Sequence, residues 1–363
     1  MTRIDPTASD KTCGCHLPRR GFITGLLAAS TFGGIGGLAA GCAQPGASSA
    51  AVSTARDRID IHHHCFSPAY VAELDKVGQA PPVVKSWTVA RTLDDMDKAG
   101  VATAMLSVTT PQVSFASAAD ARRMARESNE WTAQLAQTHK GRFGVFAMLP
   151  MQDMDSALRE AAYALDVLKA DGIGLLTSYG DKWLGHADFA PLMDELNRRG
   201  AILYTHPTAA NCCRNVLPDV PPTVIEFGTD TTRAITNIVF SGTAARTPDL
   251  RYIFSHAGGT LPFLTERLLR MPLQDAKLNA RVPRGVLFEL RRFFYDTAWS
   301  AHPSALAALT RLVDSSQVLL GSDYPYRSGE DNVKGLLDHG FAAADLQAIT
   351  RGNALRLMPR WRT

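Results

Sequence analysis

Several residues that could bind a metal ion stand at the ends of short apolar segments of this 363-residue chain. They are His62, His64, His206, His256 and Asp323. Residues two apart in an extended strand point to the same side, so His62 and His64 are expected to face one way and His63 the other. Imidazole and carboxylate groups together are typical ligands of Zn²⁺, and also of Mn²⁺ or Co²⁺. The sequence therefore suggests a site for one divalent metal ion, with zinc as the first choice.

Each of these signals is weak alone, because a histidine at a strand end is more often a satisfied polar residue than a ligand. Their recurrence at the ends of the first, fifth, sixth and eighth apolar segments is what predicts a metal site. A catalytic site of this kind keeps one coordination position open for water or substrate.

The segments that would position these residues alternate between apolar runs and helical patterns. The apolar runs span 58–62, 102–108, 143–148, 172–177, 201–206, 251–256, 293–297 and 318–323. Each is rich in Ile, Val, Leu, Phe or Tyr and is bounded by Gly, Pro or Asp, as expected of buried parallel strands. The expected helices include 92–100, 155–168, 189–199 and 303–312.

Eight strands alternating with helices predict an α/β fold, a TIM (β/α)₈ barrel, formed by a single domain over 56–363. Chemistry in such barrels lies at the carboxyl ends of the strands, where the candidate ligands stand. A doubly wound open sheet is the alternative, but no glycine-rich dinucleotide motif follows the first strand. The stretch 207–249 is expected to form a loop and a helix over the barrel mouth.

The strings around these residues resemble the amidohydrolase-related family. They are IDIHHH, THP, SHAGGTLPF and LLGSDYPY, which begin at residues 59, 205, 255 and 319. Within the family the likeness is greatest to the aminocarboxymuconate-semialdehyde decarboxylase type. The stretches 172–185 (GIGLLTSYGDKWLG) and 225–233 (IEFGTDTTR) are more specifically similar to 6-methylsalicylate-type decarboxylases.

This resemblance implies that His62, His64, His206 and Asp323 bind the metal and that His256 is the catalytic acid/base, with Asp323 also part of the catalytic set. Related dihydroxybenzoate decarboxylases often carry glutamate where this chain has His62, which favours the aminocarboxymuconate-like arrangement. No lysine stands at the end of the fourth strand, where 177–179 reads Thr-Ser-Tyr. The resemblance thus implies one metal ion rather than two.

The reaction implied is non-oxidative loss of CO₂ from an aromatic or unsaturated carboxylic acid, similar to 6-methylsalicylate. The same ligands would also serve a hydrolase or hydratase acting on an ester, lactone, amide or double bond. A third possibility is a non-catalytic binding lipoprotein of the cell envelope. Only the family likeness favours decarboxylation, and fold alone does not fix function.

Candidate substrate contacts lie in loops that follow the predicted strands. Charged and aromatic candidates there are Arg214, Lys182, Trp183 and Arg327. Tyr179, Phe294 and Trp299 are candidates for an aromatic pocket, with core packing as the alternative for each. Asp296 is expected either to orient a metal ligand or to cap the next helix, and the adjacent Cys212 and Cys213 to form a buried structural pair.

Residues 1–55 are expected to lie outside the barrel as a signal segment. Arg19 and Arg20 precede an uncharged stretch rich in Gly, Ala and Leu, which resembles a twin-arginine export signal. A transmembrane anchor is the alternative. Cys42 follows Leu-Ala-Ala-Gly and resembles the lipidated cysteine of a lipoprotein, with ordinary cleavage after Ala43 as the competing outcome. These features predict a periplasmic or envelope location with a lipid anchor at Cys42.

Composition and cysteine content argue against a nucleic-acid-binding protein and against a fold held by disulfides. A formal net charge of +3, evenly spread, does not suggest a nucleic-acid partner. Of six cysteines, only Cys65, Cys212 and Cys213 fall in the folded part, so a disulfide framework is not expected. The segment 274–292 is a candidate interface for a homodimer.

Overall fold

The computed structural model describes residues 56–214 and 216–362. The predicted signal segment, with Arg19, Arg20 and Cys42, lies outside the described residues. Eight parallel strands alternate with helices in the described part, which confirms the predicted barrel. They are β1 (Arg58–His64), β2 (Val101–Ser107), β3 (Phe143–Ala147), β4 (Gly172–Leu176), β5 (Ile202–His206), β6 (Arg251–Phe254), β7 (Phe294–Asp296) and β8 (Val318–Leu319).

Neighbouring strands pair in chain order from β1 to β8. The first and last strands are joined by backbone hydrogen bonds: the amide of Ile61 donates to Leu320 O at 2.9 Å, and that of Asp323 to His62 O at 2.8 Å. These bonds close the sheet, so all eight carboxyl ends meet around one mouth. The candidate ligands from β1 and β8 are thereby direct neighbours.

Helices cover the outside of the barrel. The α-helices are Pro68–Lys76, Pro82–Lys85, Val89–Lys98, Ala118–Thr138, Met154–Asp166, Ala190–Arg198, Glu226–Phe240, Thr243–Arg246, Leu261–Gln274, Ala276–Arg281, Val286–Arg292, Pro303–Leu312, Gly329–His339, Ala343–Gln347 and Asn353–Leu357. The third begins a turn earlier than expected because Thr88 caps it by accepting the amide of Arg91. None of the described helices combines the length and the apolarity that a membrane span requires.

Strand β1 contains an irregularity that matters for the site. Ile59 and Ile61 belong to the apolar cluster inside the barrel, and strict alternation would then direct His62 toward the helices. The pairing of β1 with β2 shifts register between Asp60 and His63. Such a shift re-aims side chains, and it lets His62 and His64 face the axis as predicted.

Strand β8 is shorter than the predicted 318–323, because polar side chains replace the strand ladder after Leu319. The amide of Gly321 donates to Thr297 Oγ1 at 3.2 Å and that of Ser322 to Asp60 Oδ1 at 3.0 Å. Asp323 has a φ of 67°, which no strand residue adopts. The chain therefore leaves the sheet just before the carboxylate that faces the histidines.

Candidate metal centre

Five side chains converge at the carboxyl end of the barrel. They are the predicted set, His62, His64, His206, His256 and Asp323. One ligand atom from each of four of them, His62, His206, His256 and Asp323, lies within 4.8 Å of the others. His64 joins the same group, because its Nε2 lies 3.1 Å from His62 Nε2 and 2.8 Å from Asp323 Oδ1.

The two oxygens of Asp323 face different partners. Oδ1 lies 3.0 Å from His62 Nε2, 2.8 Å from His64 Nε2 and 4.0 Å from His206 Nε2. Oδ2 lies 2.6 Å from the indole nitrogen of Trp299 and 3.6 Å from His256 Nε2. One oxygen is thus turned to the three other predicted ligands, and the other to Trp299 and the predicted acid/base.

The second ring nitrogens of the histidines are held by fixed partners. His62 Nδ1 lies 2.9 Å from Asp296 Oδ2, and His64 Nδ1 lies 3.2 Å from the carbonyl oxygen of Ser107. His206 Nδ1 lies 2.9 Å from Pro207 O. Carboxylate and carbonyl partners of this kind fix ring orientation in metal sites, and here they leave each Nε2 facing the barrel axis.

Asp296 connects this orientation to the candidate acid/base. Its Oδ2 meets His62, while its Oδ1 accepts the backbone amides of His256 and Ala298, each at 3.0 Å. The buried carboxylate therefore fixes both a predicted ligand and the backbone of His256. Of its two expected roles, orienting a predicted ligand is the one that its contact with His62 supports.

The turn that carries His256 is backbone-constrained. His256 and Ala257 have φ values of 55° and 56°, in the left-handed region that non-glycine residues seldom adopt. Gly259 follows in close contact with the helix Glu226–Phe240, and a Cβ there would lie 1.9 Å from Gly228 O. Only glycine fits this approach, so the tight turn holds His256 at the mouth.

The ionisation of the site follows from burial and charge. Burial would lower the pKa of His62, but the carboxylates of Asp296 and Asp323 outweigh it and raise that pKa to about 10. Burial lowers the pKa of His64 and, with repulsion from neighbouring imidazoles, holds that of His206 well below its usual range. Burial opposes ionisation of Asp323, yet His62 keeps its pKa well below normal. Asp323 is therefore anionic and His64 and His206 neutral, the states that bind a cation, whereas His62 is protonated beside the two carboxylates and must lose that proton when an ion binds.

The donor set fits a divalent ion. Imidazole nitrogens and a carboxylate oxygen are the ligands that Zn²⁺, Mn²⁺ and Co²⁺ accept. His256 Nε2 is buried and has no hydrogen-bond partner among the described residues. Because buried polar atoms are normally hydrogen-bonded, this nitrogen is suited to contact a bound molecule. At the end of β4, Thr177 donates to Asp230 instead of a lysine reaching toward a second ion.

The predicted substrate contacts are only partly brought to this site. Arg327 lies over the Trp299 ring, 5.6 Å from its centroid, and Trp299 in turn binds Asp323. Lys182 is exposed and pairs with Asp188, and Trp183 donates its indole N–H to Asp230 at 2.7 Å. Arg214 is exposed, and its Nε donates to the carbonyl of Ala209 at 3.3 Å. The roles of these residues in substrate binding stay predictions.

Two expectations about loop residues are corrected. The Cys212–Cys213 pair is not buried, because Cys212 is exposed and Cys213 only half-buried, in a short surface turn after β5. Core packing does not describe Trp299, whose surface is 54% exposed. Trp299 also has a positive φ of 54°, a backbone feature that no sequence pattern indicated.

Further aromatic residues near the ligands were not predicted. The ring of Tyr326 meets that of His64 edge-on with centroids 5.8 Å apart, and the ring of Phe227 meets His206 at 6.0 Å. Tyr326 follows Asp323 by three residues, so the loop after the last strand was a usable signal. Phe227 comes from the helix Glu226–Phe240, which only the fold places at the mouth.

Fold and site together define a (β/α)₈-barrel enzyme with a group of side chains suited to a divalent metal at the carboxyl ends of its strands. The family model described as amidohydrolase matches residues 59–360. The chain belongs to this amidohydrolase family, as the motifs indicated.

The relatives are decarboxylases. The chain is 39% identical to decarboxylase macB of Penicillium terrestre over 325 aligned positions, and the match covers 84% of this chain and 96% of the relative. It is 35% identical to 6-methylsalicylic acid decarboxylase of Penicillium expansum over 275 aligned positions, and this match covers 74% of this chain and 85% of the relative. The predicted likeness to 6-methylsalicylate-type decarboxylases is confirmed.

A crystal structure agrees with the fold. A dihydroxybenzoic acid decarboxylase from Polaromonas sp. JS666, with bound manganese and the inhibitor 2-nitroresorcinol, matches with a TM-score of 0.74 and 22% identity. The match covers 85% of this chain and 98% of that one. At this identity the likeness establishes the shared barrel.

Proposed function

We propose that this protein is a metal-dependent, non-oxidative decarboxylase of an aromatic carboxylic acid similar to 6-methylsalicylate. The observation that carries the proposal is the buried Nε2 of His256, which has no partner among the described residues and faces the group of ligands. The relatives of 33–39% identity are decarboxylases, two of them acting on 6-methylsalicylic acid. The aromatic edges of Tyr326 and Phe227 beside the ligands suit a ring-shaped substrate.

His62, His64, His206 and Asp323 would hold one ion, which we propose to be Zn²⁺, with Mn²⁺ and Co²⁺ as the other candidates. When bound, such an ion supplies Lewis-acid stabilisation of the substrate's oxygen atoms. Asp296 keeps the His62 ring oriented through its 2.9 Å contact with Nδ1.

In the proposed reaction, protonated His256 gives its Nε2 proton to the ring carbon that bears the carboxylate. The bond between that carbon and the carboxylate then breaks. CO₂ leaves, and the electron pair of the broken bond restores the aromatic ring. The net change consumes one proton and one carboxylate and yields one CO₂ and one arene. Imidazole suits this role because its ordinary pKa lies near neutral pH.

The test is a CO₂-release assay over hydroxybenzoates and 6-methylsalicylate, with metal analysis of the protein and of a His62→Ala variant. One ion per chain, lost in the variant, with CO₂ from one acid is the expected result. A metal-loaded protein that hydrolyses an ester or lactone and releases no CO₂ would instead establish the hydrolase. Metal binding with no turnover of any such compound would favour the binding protein.

We also propose that residues 1–55 direct twin-arginine export and that Cys42 carries a lipid, which would place the barrel in the periplasm or cell envelope. The basis is the sequence of Arg19, Arg20 and the stretch around Cys42. Fractionation of cells producing the full chain and a Cys42→Ser variant tests this. Export lost with Arg19→Lys/Arg20→Lys, and release from the membrane with Cys42→Ser, are the expected results.

A homodimer through the region 274–292 is likewise proposed. Leu273, directly before this region, is 84% exposed, and Phe263 on the same helix is 87% exposed. Large apolar groups this exposed are typical of surfaces that pair. Sedimentation of the protein beside a Leu273→Glu variant should show a dimer that the charge dissociates, whereas a monomeric parent would refute the dimer.

A further inference from the structure

Trp299, at the mouth of the barrel, is exposed and yet hydrogen-bonded to a predicted metal ligand. Its side chain is 54% exposed, and its indole N–H donates to a carboxylate, Oδ2 of Asp323, at 2.6 Å. Its φ of 54° is a left-handed value in a bulky aromatic residue, which marks a backbone held against its preference by its surroundings. The ring is thus fixed in place rather than loosely exposed.

The hydrogen bond decides how Asp323 is oriented. Oδ1 faces His62 and His64 at 3.0 and 2.8 Å, so Oδ2 is left for Trp299 and His256. Among the described residues, Trp299 alone is within hydrogen-bond distance of Oδ2, since His256 Nε2 is 3.6 Å away. By occupying Oδ2, the indole keeps the carboxylate from rotating and from capturing His256.

The ring face has a second partner. The guanidinium carbon of Arg327 lies 5.6 Å from the Trp299 ring centroid, a cation–π distance, and the Nε of Arg327 lies 3.8 Å from Asp331. The ring is therefore supported at the mouth, beside the group of ligands. An aromatic acid approaching Asp323 and His256 would meet this ring.

We propose that Trp299 is a positioning and specificity-determining residue. Its indole N–H holds Asp323 Oδ2 and leaves His256 Nε2 free for the substrate, and its ring forms a wall of the substrate pocket. The pocket-wall half of this inference rests on the proposed decarboxylase function. The half concerning Asp323 does not, because it follows from the hydrogen bond alone.

Two variants separate the roles. Trp299→Phe keeps a ring and removes the donor. Trp299→Gln removes the ring and keeps a donor, since the amide nitrogen of Gln and the indole nitrogen of Trp are both three bonds from Cβ. The matched control is Trp361→Phe, which removes the same kind of hydrogen bond, to Asp171 at 2.8 Å, outside the metal site. Thermal unfolding of each variant reports whether the fold is kept.

The first readout is Mn²⁺ binding to metal-free protein, followed by the electron paramagnetic resonance signal of free Mn²⁺, which does not depend on any tryptophan. We expect Trp299→Phe to weaken the Kd for Mn²⁺ about tenfold, as loss of an outer partner of a ligand does, with Trp299→Gln and Trp361→Phe close to the parent. If Trp299→Phe binds Mn²⁺ as tightly as the parent, the positioning role is wrong. This readout is decisive whether or not the protein decarboxylates anything.

The second readout is steady-state kinetics on the acid that the parent decarboxylates. Trp299→Phe should lower kcat about tenfold with little change in KM, and Trp299→Gln should raise KM while keeping most of kcat. Equal KM values in Trp299→Gln and the parent would remove the pocket-wall role. A parent without CO₂ release would refute the proposed function and, with it, the pocket-wall half, whereas the Mn²⁺ result would still decide the other half.

Discussion

The two ends of the barrel differ in the types of residue that adopt left-handed backbone conformations. At the carboxyl end, six non-glycine residues of the described chain have left-handed φ values, and the last four of them lie around the candidate metal site: Gln112, Asp219, His256, Ala257, Trp299 and Asp323. At the amino end, the turns that lead into β2, β3 and β5 use glycine: Gly100, Gly141 and Gly200. Lys169, before β4, is the exception. Glycine adopts this conformation without steric cost. Backbone strain from left-handed non-glycine residues is therefore concentrated at the carboxyl end, where the candidate metal site lies.

A hydrogen bond from a tryptophan indole to an aspartate carboxylate occurs at both ends of the barrel, but its role differs. Trp361 donates to Asp171 at the amino end, where Arg360 and the amide of Val145 also meet that carboxylate. Trp299 donates to Asp323 at the mouth, but there the neighbouring His256 Nε2 has no partner among the described residues. The hydrogen bonds of Asp171 are made within the protein and stabilise the fold. At the mouth, His256 Nε2 can instead contact a bound molecule.

The largest effect should follow from changing His256. Because His256→Gln removes the proton donor and leaves the four predicted ligands, we expect metal content to be kept while kcat falls by about 10²- to 10⁴-fold. Metal analysis together with the CO₂ assay measures both quantities. Retained turnover in this variant would contradict the acid/base role.

A smaller effect should follow from Asp296→Asn. The amide keeps one acceptor oxygen for the backbone N–H of His256 but loses the charge beside His62, so metal affinity should fall about 10- to 100-fold. Titration of metal-free protein with Zn²⁺ against a competing chelator measures it. The matched control is Asp314→Asn on the chain before β8, where affinity should match the parent.

At the amino end, the expected change is in stability and not in chemistry. Asp171→Ala leaves Arg360, Trp361 and the amide of Val145 without their partner, so unfolding free energy should fall by about 3 kcal/mol. Metal affinity and kcat, measured well below the unfolding temperature, should equal those of the parent. A loss of activity in the folded variant would show that the two ends are coupled.

The smallest effect concerns Asp95, whose carboxylate accepts the amide of Gly329 near the mouth. Burial raises its pKa to about 6, above that of the unfolded chain. A raised carboxyl pKa favours the folded state below pH 4, and this contribution is lost as pH rises through 6. The parent should therefore lose stability between pH 4.5 and pH 8, whereas Asp95→Asn has no carboxyl group to ionise. In urea unfolding, the free energy of unfolding of Asp95→Asn relative to that of the parent should rise by about 1 kcal/mol from pH 4.5 to pH 8, a figure already reduced for the partial exposure of the group. An equal difference at both pH values would contradict the raised pKa.

Much of the site was predictable because it depends on strand ends. Apolar runs marked the eight strands, and parallel strands in a closed barrel bring their carboxyl ends together, so separate histidines could be grouped without any contact being known. The helix Pro303–Leu312 has its predicted bounds, with Pro303 in its first turn.

What the sequence did not reveal depends on local backbone geometry. The register shift in β1, the early end of β8 and the left-handed Trp299 are local backbone features that no periodicity records. Cys212 and Cys213 were expected to be buried because cysteine usually is, but the long loop after β5 holds them at the surface. Side-chain roles on loops were therefore the least predictable part.

The closure of β1 onto β8 has a consequence for synthesis of the protein. His62 and Asp323 are 261 positions apart in the chain, yet their side chains are 3.0 Å apart. A growing or truncated polypeptide that lacks the last strand can present the histidines but not the carboxylate beside them. Contacts of such long range slow folding, because the chain between them must be ordered before they can form. Full metal affinity therefore reports a completed chain, and a fragment ending before residue 318 should not retain the ion.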